Sequence, residues 1–129
     1  MNPRTVVILG DDDVRTQVRE ALRLEQHIDI IGELCALQPR HVDYLSIVQP
    51  DVVVVDGASR SINPLIVIAE LRALVSPPRV VMVLAGGLVD FRAASRPGVE
   101  AIVTTREALR LAVLAPVRSD IRPELEIAA

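Results

Sequence analysis

The chain has 129 residues and a formal net charge of −3; half of its residues are apolar, but only 2% are aromatic. This length predicts one domain, with a core built from Val, Ile, Leu and Ala. The negative charge excludes broad non-specific binding of nucleic acid by these residues alone. A single Cys excludes an internal disulfide, and no signal peptide or membrane-length apolar run is present, so we expect a cytoplasmic protein.

Strand-like runs of β-branched residues alternate with segments in which apolar residues recur every three or four positions. The predicted strands cover residues 5–9, 28–34, 52–55, 79–85 and 100–104. The predicted helices begin at residue 14, after residue 39, and at residues 64, 88 and 106, and the third of them runs to about residue 75. Five such units predict a parallel sheet between two layers of helices. We expect one domain over residues 1–116 and a flexible tail or interdomain linker over residues 117–129.

Acidic residues follow two of the predicted strands. Asp11, Asp12 and Asp13 end the first strand, and Asp56 ends the run of four Val residues, which is typical of a strand buried on both faces. Asp12 or Asp13 is a natural N-cap for the first helix, and Asp56 by itself could merely cap a turn. If the strand order is 2-1-3-4-5, however, all four carboxylates meet at the switch point between strands one and three. Crowded carboxylates suit Mg²⁺.

The sequence resembles response-regulator receiver domains, in particular those of NarL/FixJ-type regulators, over about residues 4–115. The resemblance rests on Val-Val-Ile-Leu followed by acids, on Gln-Pro-Asp-Val-Val-Val-Val-Asp, on Leu-Arg-Ala-Leu before Pro-Pro-Arg-Val-Val, and on a Gly before the last strand. It implies the flavodoxin-like, CheY-like α/β fold: a doubly wound (βα)5 domain with a five-stranded parallel sheet in the order 2-1-3-4-5.

The resemblance implies a phosphorylation switch of two-component signal transduction rather than an enzyme. Asp56 matches the residue that accepts a phosphoryl group from a histidine kinase. Asp11 and Asp12 match the acids that hold Mg²⁺, and the backbone carbonyl of Ala58 matches the third protein ligand of that ion. Which of Asp11, Asp12 and Asp13 reaches the metal stays open, because Gly10 occupies the position of the first acid.

Other positions depart from the receiver pattern. The hydroxyl residue after the fourth strand is replaced by Leu84 or, with a shift of one, Ala85, and the aromatic residue of the fifth strand is replaced by Ile102. Thr105 stands at the Lys position, and all 14 basic residues of the chain are Arg. Losing one electrostatic contact at a developing charge costs about 3 kcal/mol in other enzymes. These departures predict a slow or mute switch.

Two cations could compensate for the missing Lys: Arg60, in the loop after Asp56, and Arg106, which substitutes only if the last strand ends early.

We therefore favour an atypical or pseudo-receiver that acts through protein–protein interaction, with phosphorylation weak or absent. One hypothesis is homodimerisation through the apolar residues of the predicted helix 88–95 and of the last helix; the alternative is that these residues complete the core. They are Leu88, Phe91, Leu109, Leu111 and Val113.

Other functional hypotheses remain open. The chain could be the N-terminal half of a DNA-binding regulator, contacting DNA only through an effector domain not present here. It could localise a pilus-assembly ATPase, or bind a flavin or nucleotide in the crevice.

Overall fold

The computed structural model describes residues 2–84 and 99–115, which form five strands and four helices. The strands are β1 (Arg4–Leu9), β2 (Ile28–Leu34), β3 (Val52–Asp56), β4 (Arg79–Val83) and β5 (Val99–Val103). The helices are α1 (Asp12–Leu22), α2 (Pro39–Val48), α3 (Pro64–Arg72) and α4 (Arg106–Leu114). Within these residues no helix combines the length and the apolar character needed to cross a membrane.

The five strands form one parallel sheet in the order β2-β1-β3-β4-β5, which confirms the predicted fold class. β3 lies in the centre, with Val55 opposite Leu9 of β1 and Asp56 opposite Val83 of β4. Because parallel strands end at the same edge of the sheet, this register places Asp56 beside the loop that follows β1.

Both faces of the sheet are buried, and the four Val residues of β3 supply both cores. Val52 and Val54 pack with α1 and α4 on one face, whereas Val53 and Val55 pack with α2 and α3 on the other. This alternation is what a strand buried on both sides requires, since successive side chains point to opposite faces. The fixed central strand carries Asp56 at its end.

Several predicted boundaries differ from the structure. Helix α1 begins at Asp12 rather than residue 14, and its N-cap is Asp11, so the assignment of Asp12 or Asp13 as the cap is wrong. Helix α3 ends at Arg72, short of the predicted residue 75. β4 ends at Val83, and the helix predicted over residues 88–95 lies outside the described residues.

The structure corrects the predicted dimer surface. Leu109 is 3% exposed and Val113 is fully buried, and both belong to the core cluster that includes residues of α1. They share one face of α4 because residues four positions apart lie one above the other on a helix. They therefore cannot line an open interface. Leu111, on the opposite face, is 65% exposed, while residues 88 and 91 lie outside the described residues.

Candidate functional site

Asp56 is the last residue of β3 and is only 2% exposed, which makes it the one charged residue found buried in the described part of the chain. Its carboxylate is held by two backbone groups. The N–H of Ala58 donates to Oδ1 at 3.0 Å, and the N–H of Asp11 donates to Oδ2 over a longer 3.4 Å. The carboxylate thus lies at the predicted edge of the sheet but is covered by the loops that follow β1 and β3.

Gly10 closes the space beside Asp56. A Cβ atom built on Gly10 would lie 2.5 Å from Cβ of Asp56 and 3.2 Å from its Oδ2. The Cβ of a strand residue cannot swing away, so no side chain fits at this position without a backbone shift. Gly10 stands where the resemblance places an acid. Its backbone therefore packs directly on the candidate phosphoacceptor.

A guanidinium holds the peptide group that contacts Asp56. Nε of Arg15 donates to the carbonyl oxygen of Gly10 at 3.0 Å, and the N–H of the same peptide group is the one that donates to Asp56. The guanidinium of Arg15 also pairs with the carboxylate of Asp12, and its Nη1 lies 3.9 Å from Oε1 of Glu33 on β2. A cation on the carbonyl end of a peptide favours an anion at its N–H end. Arg15 thus acts on Asp56 through one peptide group.

The side chain of Asp11 binds the loop that follows β3. Ser59 Oγ donates to Oδ1 of Asp11 at 2.7 Å, and the N–H of Arg60 donates to Oδ2 at 3.3 Å. The Ser59 hydroxyl is the largest cause that lowers the pKa of Asp11 below 3.8, and the groups of Ser61 act in the same direction while burial opposes them. Asp11 is therefore held in its charged form.

The pKa values of Asp11 and Asp56 are shifted in opposite directions. Burial is the main reason why the pKa of Asp56 is raised above 3.8. The N–H groups of Ala58 and Asp11 oppose this increase, and the negative charges of Asp11 and Asp13 add to it. Without a cation beside it, Asp56 is thus a carboxyl group that folding makes harder to ionise.

The remaining acids do not complete a site that fits Mg²⁺. Asp12 pairs with Arg15 and its side chain is 91% exposed, so it does not join Asp56. Asp13 accepts a hydrogen bond from the N–H of Val14. Both oxygens of Asp11 are already bound by the loop, and the described ranges contain no group of three or more acidic, His or Cys side chains placed to hold a metal.

None of the described switch positions carries a cation, and only Thr105 carries a hydroxyl. Leu84 follows β4, and its Cδ2 lies 2.7 Å from a Cβ built on Gly57, so an apolar side chain covers the loop after Asp56. Ile102 is exposed on β5. The Thr105 hydroxyl accepts the N–H of Ala108 as the N-cap of α4. The remaining candidate, residue 85, lies outside the described residues.

The two candidate cations are not placed on Asp56. Arg60 meets Asp11 through its backbone N–H rather than its guanidinium. Arg106 is the first residue of α4 and lines, with Thr105, a cavity of about 60 Å³ whose other walls come largely from α1. Since β5 ends at Val103, the strand does end early, but Asp56 is absent from the lining of that cavity.

Sequence reasoning missed two residues of this site, Ser59 and Arg15. The loop Ala-Ser-Arg-Ser after Asp56 offered a signal, because closely spaced hydroxyl residues often bind nearby backbone or acidic groups. Arg15 offered a weaker one, as a base three residues after Asp12 on a helix. Its bond to the carbonyl of Gly10 depends on how the β1–α1 loop folds, which the spacing does not specify.

Comparison with known proteins gives structural relatives only. No protein-family model matches the chain, and no curated protein matches it. The signal receiver domain of the response regulator NarL from Mycobacterium tuberculosis superposes with a TM-score of 0.71 at 23% identity, covering 88% of this chain and 95% of that one.

Two further solved structures superpose on this chain. The response regulator domain of Thermotoga maritima CheB gives a TM-score of 0.67 at 16% identity, covering 90% of this chain and 100% of the other. A DNA-binding response regulator of the LuxR family from Staphylococcus aureus gives 0.66 at 20% identity, covering 85% and 92%. These are the proteins whose family the sequence resembles. The chain therefore has the fold of response-regulator receiver domains.

Proposed function

We propose that this chain is a receiver-type domain of two-component signalling that acts by contacting other proteins, and whose phosphorylation at Asp56 is weak or absent. The observation that carries this proposal is the packing of Gly10 directly onto a buried Asp56. The partners we propose are a histidine kinase, another signalling protein or an attached effector domain. The superposition on receiver domains supports the class, and the altered site supports the loss of the switch.

The chemistry of phosphoryl transfer supports the same proposal. The attacking oxygen must reach the phosphorus in line, while cations and hydrogen-bond donors neutralise charge on the transferred group. Both oxygens of Asp56 accept backbone N–H groups, and the residue as a whole is 2% exposed. Leu84 and Thr105, at the two positions that bind phosphoryl oxygens in the resembled family, offer an apolar side chain and a neutral hydroxyl in place of a hydroxyl and a cation.

Incubation with acetyl phosphate and Mg²⁺, followed by intact mass, tests the proposal. We expect the rate of labelling to be lower than that of a typical receiver domain by at least about 100-fold, since the loss of one electrostatic contact alone costs roughly 10²- to 10³-fold. Asp56→Asn is the matched control, because it removes only the candidate nucleophile. Labelling at an ordinary rate that disappears in Asp56→Asn would contradict the proposal.

Metal binding gives a second readout of the same proposal. We propose a weak affinity for Mg²⁺, because Asp11 would have to leave Ser59 and Arg60 before it could bind the ion. Calorimetric titration of the domain with Mg²⁺ should therefore give little heat. A tight, stoichiometric isotherm lost in Asp56→Asn would show a working metal site.

A further inference from the structure

The loop between β3 and α3 contains a turn whose donors converge on one carboxylate. Ser59 Oγ–H and the N–H of Arg60 donate to the two oxygens of Asp11, one to each. The Ser59 oxygen in turn accepts the N–H groups of Ser61 and Ile62 at 3.1 and 3.2 Å. Accepting those two bonds leaves the hydroxyl proton of Ser59 free to point at Asp11. The turn thus binds an anion that comes from another part of the chain.

We infer that the turn formed by residues 59–62 is an oxyanion-binding site whose ligand is the carboxylate of Asp11. The turn presents one donor to each oxygen of a two-oxygen anion such as a carboxylate. This inference deepens the proposed function and rests on it in one respect. An internal carboxylate, and not a phosphoryl group, binds the loop beside Asp56.

The connection to Asp56 is direct. The backbone N–H of Asp11 donates to Asp56, and the side chain of Asp11 binds the loop that begins just after Asp56. The N–H of Ala58 closes this ring by donating to the other oxygen of Asp56. Occupation of the turn by Asp11 therefore joins the β1–α1 and β3–α3 loops across the carboxyl edge of the sheet. It also excludes other small oxyanions from the turn.

Replacing the internal ligand by a free one tests the inference. In Asp11→Ala the turn loses its anion, and we expect the unfolding equilibrium constant to rise roughly tenfold, as for the loss of a hydrogen-bonded charge. Sodium formate, a free carboxylate, should then raise the urea midpoint of this variant above its value in sodium chloride of equal ionic strength. The rise should grow with formate concentration, as mass action requires for binding to the folded state.

Two matched variants make the test specific. Asp12→Ala removes a neighbouring charge that is exposed and paired with Arg15, so formate and chloride should give the same midpoint for it, as for the wild type. Adding Ser59→Ala to Asp11→Ala removes the main donor, and we expect the formate effect to disappear. Formate raising all variants equally, or failing to raise Asp11→Ala, overturns the inference.

A double-mutant cycle keeps the test decisive if Asp11→Ala does not fold. Asp11→Asn and Ser59→Ala, alone and combined, should show a coupling of about tenfold in the unfolding equilibrium constant. Independent effects of the two substitutions would overturn the inference. The proposed function fails separately: acetyl phosphate labelling of the wild type at an ordinary rate contradicts it, whatever formate does to the Asp11 variants.

Discussion

Gly10→Ala should destabilise the domain by about 1–3 kcal/mol, the usual cost of forcing an extra group into a packed interior. The added Cβ would lie 2.5 Å from Cβ of Asp56. Neither backbone is free to move, because the N–H of Gly10 donates to the Leu34 carbonyl and Asp56 is paired with Val83 in the sheet. The φ angle of Gly10 lies outside the left-handed region, so the loss comes from sterics alone. Urea unfolding followed by circular dichroism measures it, since the chain contains no Trp.

Gly32→Ala is the matched control for this prediction. Its Cβ would lie 2.6 Å from the hydroxyl oxygen of Tyr44, which is nearly the same distance, but that oxygen is at the end of a side chain that can rotate. We expect a smaller loss, limited mainly to the bond that the Tyr44 hydroxyl donates to the Ile31 carbonyl. Equal losses in the two variants would contradict the steric explanation.

Gly10→Asp extends the same argument to function. It restores an acid at a position where the resembled family has one, yet it needs the same Cβ atom and adds a charge beside Asp56. We expect at least the destabilisation of Gly10→Ala and no gain in acetyl phosphate labelling. A stable Gly10→Asp variant that is labelled faster than the wild type would show that the site needs only the missing acid.

Asp56→Asn should gain stability relative to the wild type between acidic and neutral pH, because it lacks the buried carboxyl group that the wild type ionises in that range. Burial and the nearby acids raise the pKa of Asp56, so the folded state binds its proton more readily than the unfolded state does. The stability associated with this group is therefore present below pH 3.8 and is lost as pH rises through the raised pKa. The advantage of Asp56→Asn should grow in that same interval.

Asp11→Asn is a control for which we expect a change in stability of the opposite sign. The pKa of Asp11 is lowered, mainly by the Ser59 hydroxyl, so its stabilising effect is present above pH 3.8 and is lost as pH falls through the lowered pKa. Asp11→Asn should thus be less stable than the wild type at neutral pH, with the difference closing in acid. Urea midpoints of the three proteins across the acidic range measure both effects. A benefit of Asp56→Asn that grows toward low pH would contradict the assignment.

The fold could be predicted because local patterns along the chain are strong. Four Val residues between Pro50 and Gly57 favour only a strand buried on both faces, and the structure places that strand in the centre of the sheet. Helix starts at Pro39, Pro64 and Arg106 were likewise predictable, because Pro is favoured in the first turn and Thr105 is a natural cap. Periodicity, capping and turn chemistry all act within a few residues.

The site was predictable only in outline. Strand order and the acids that follow β1 and β3 place Asp11 beside Asp56, but the sequence does not specify where each carboxylate points. Tertiary contacts decided that Asp11 binds Ser59, that Asp12 faces solvent with Arg15, and that Gly10 fills the space beside Asp56.

The partners of α4 were likewise not predictable. The helical pattern was correct, but it did not indicate that Leu109 and Val113 pack in the core with residues of α1 and not on an open surface. Backbone preferences follow from neighbours in sequence, whereas side-chain partners depend on residues that are dozens of positions apart and meet only when the sheet assembles.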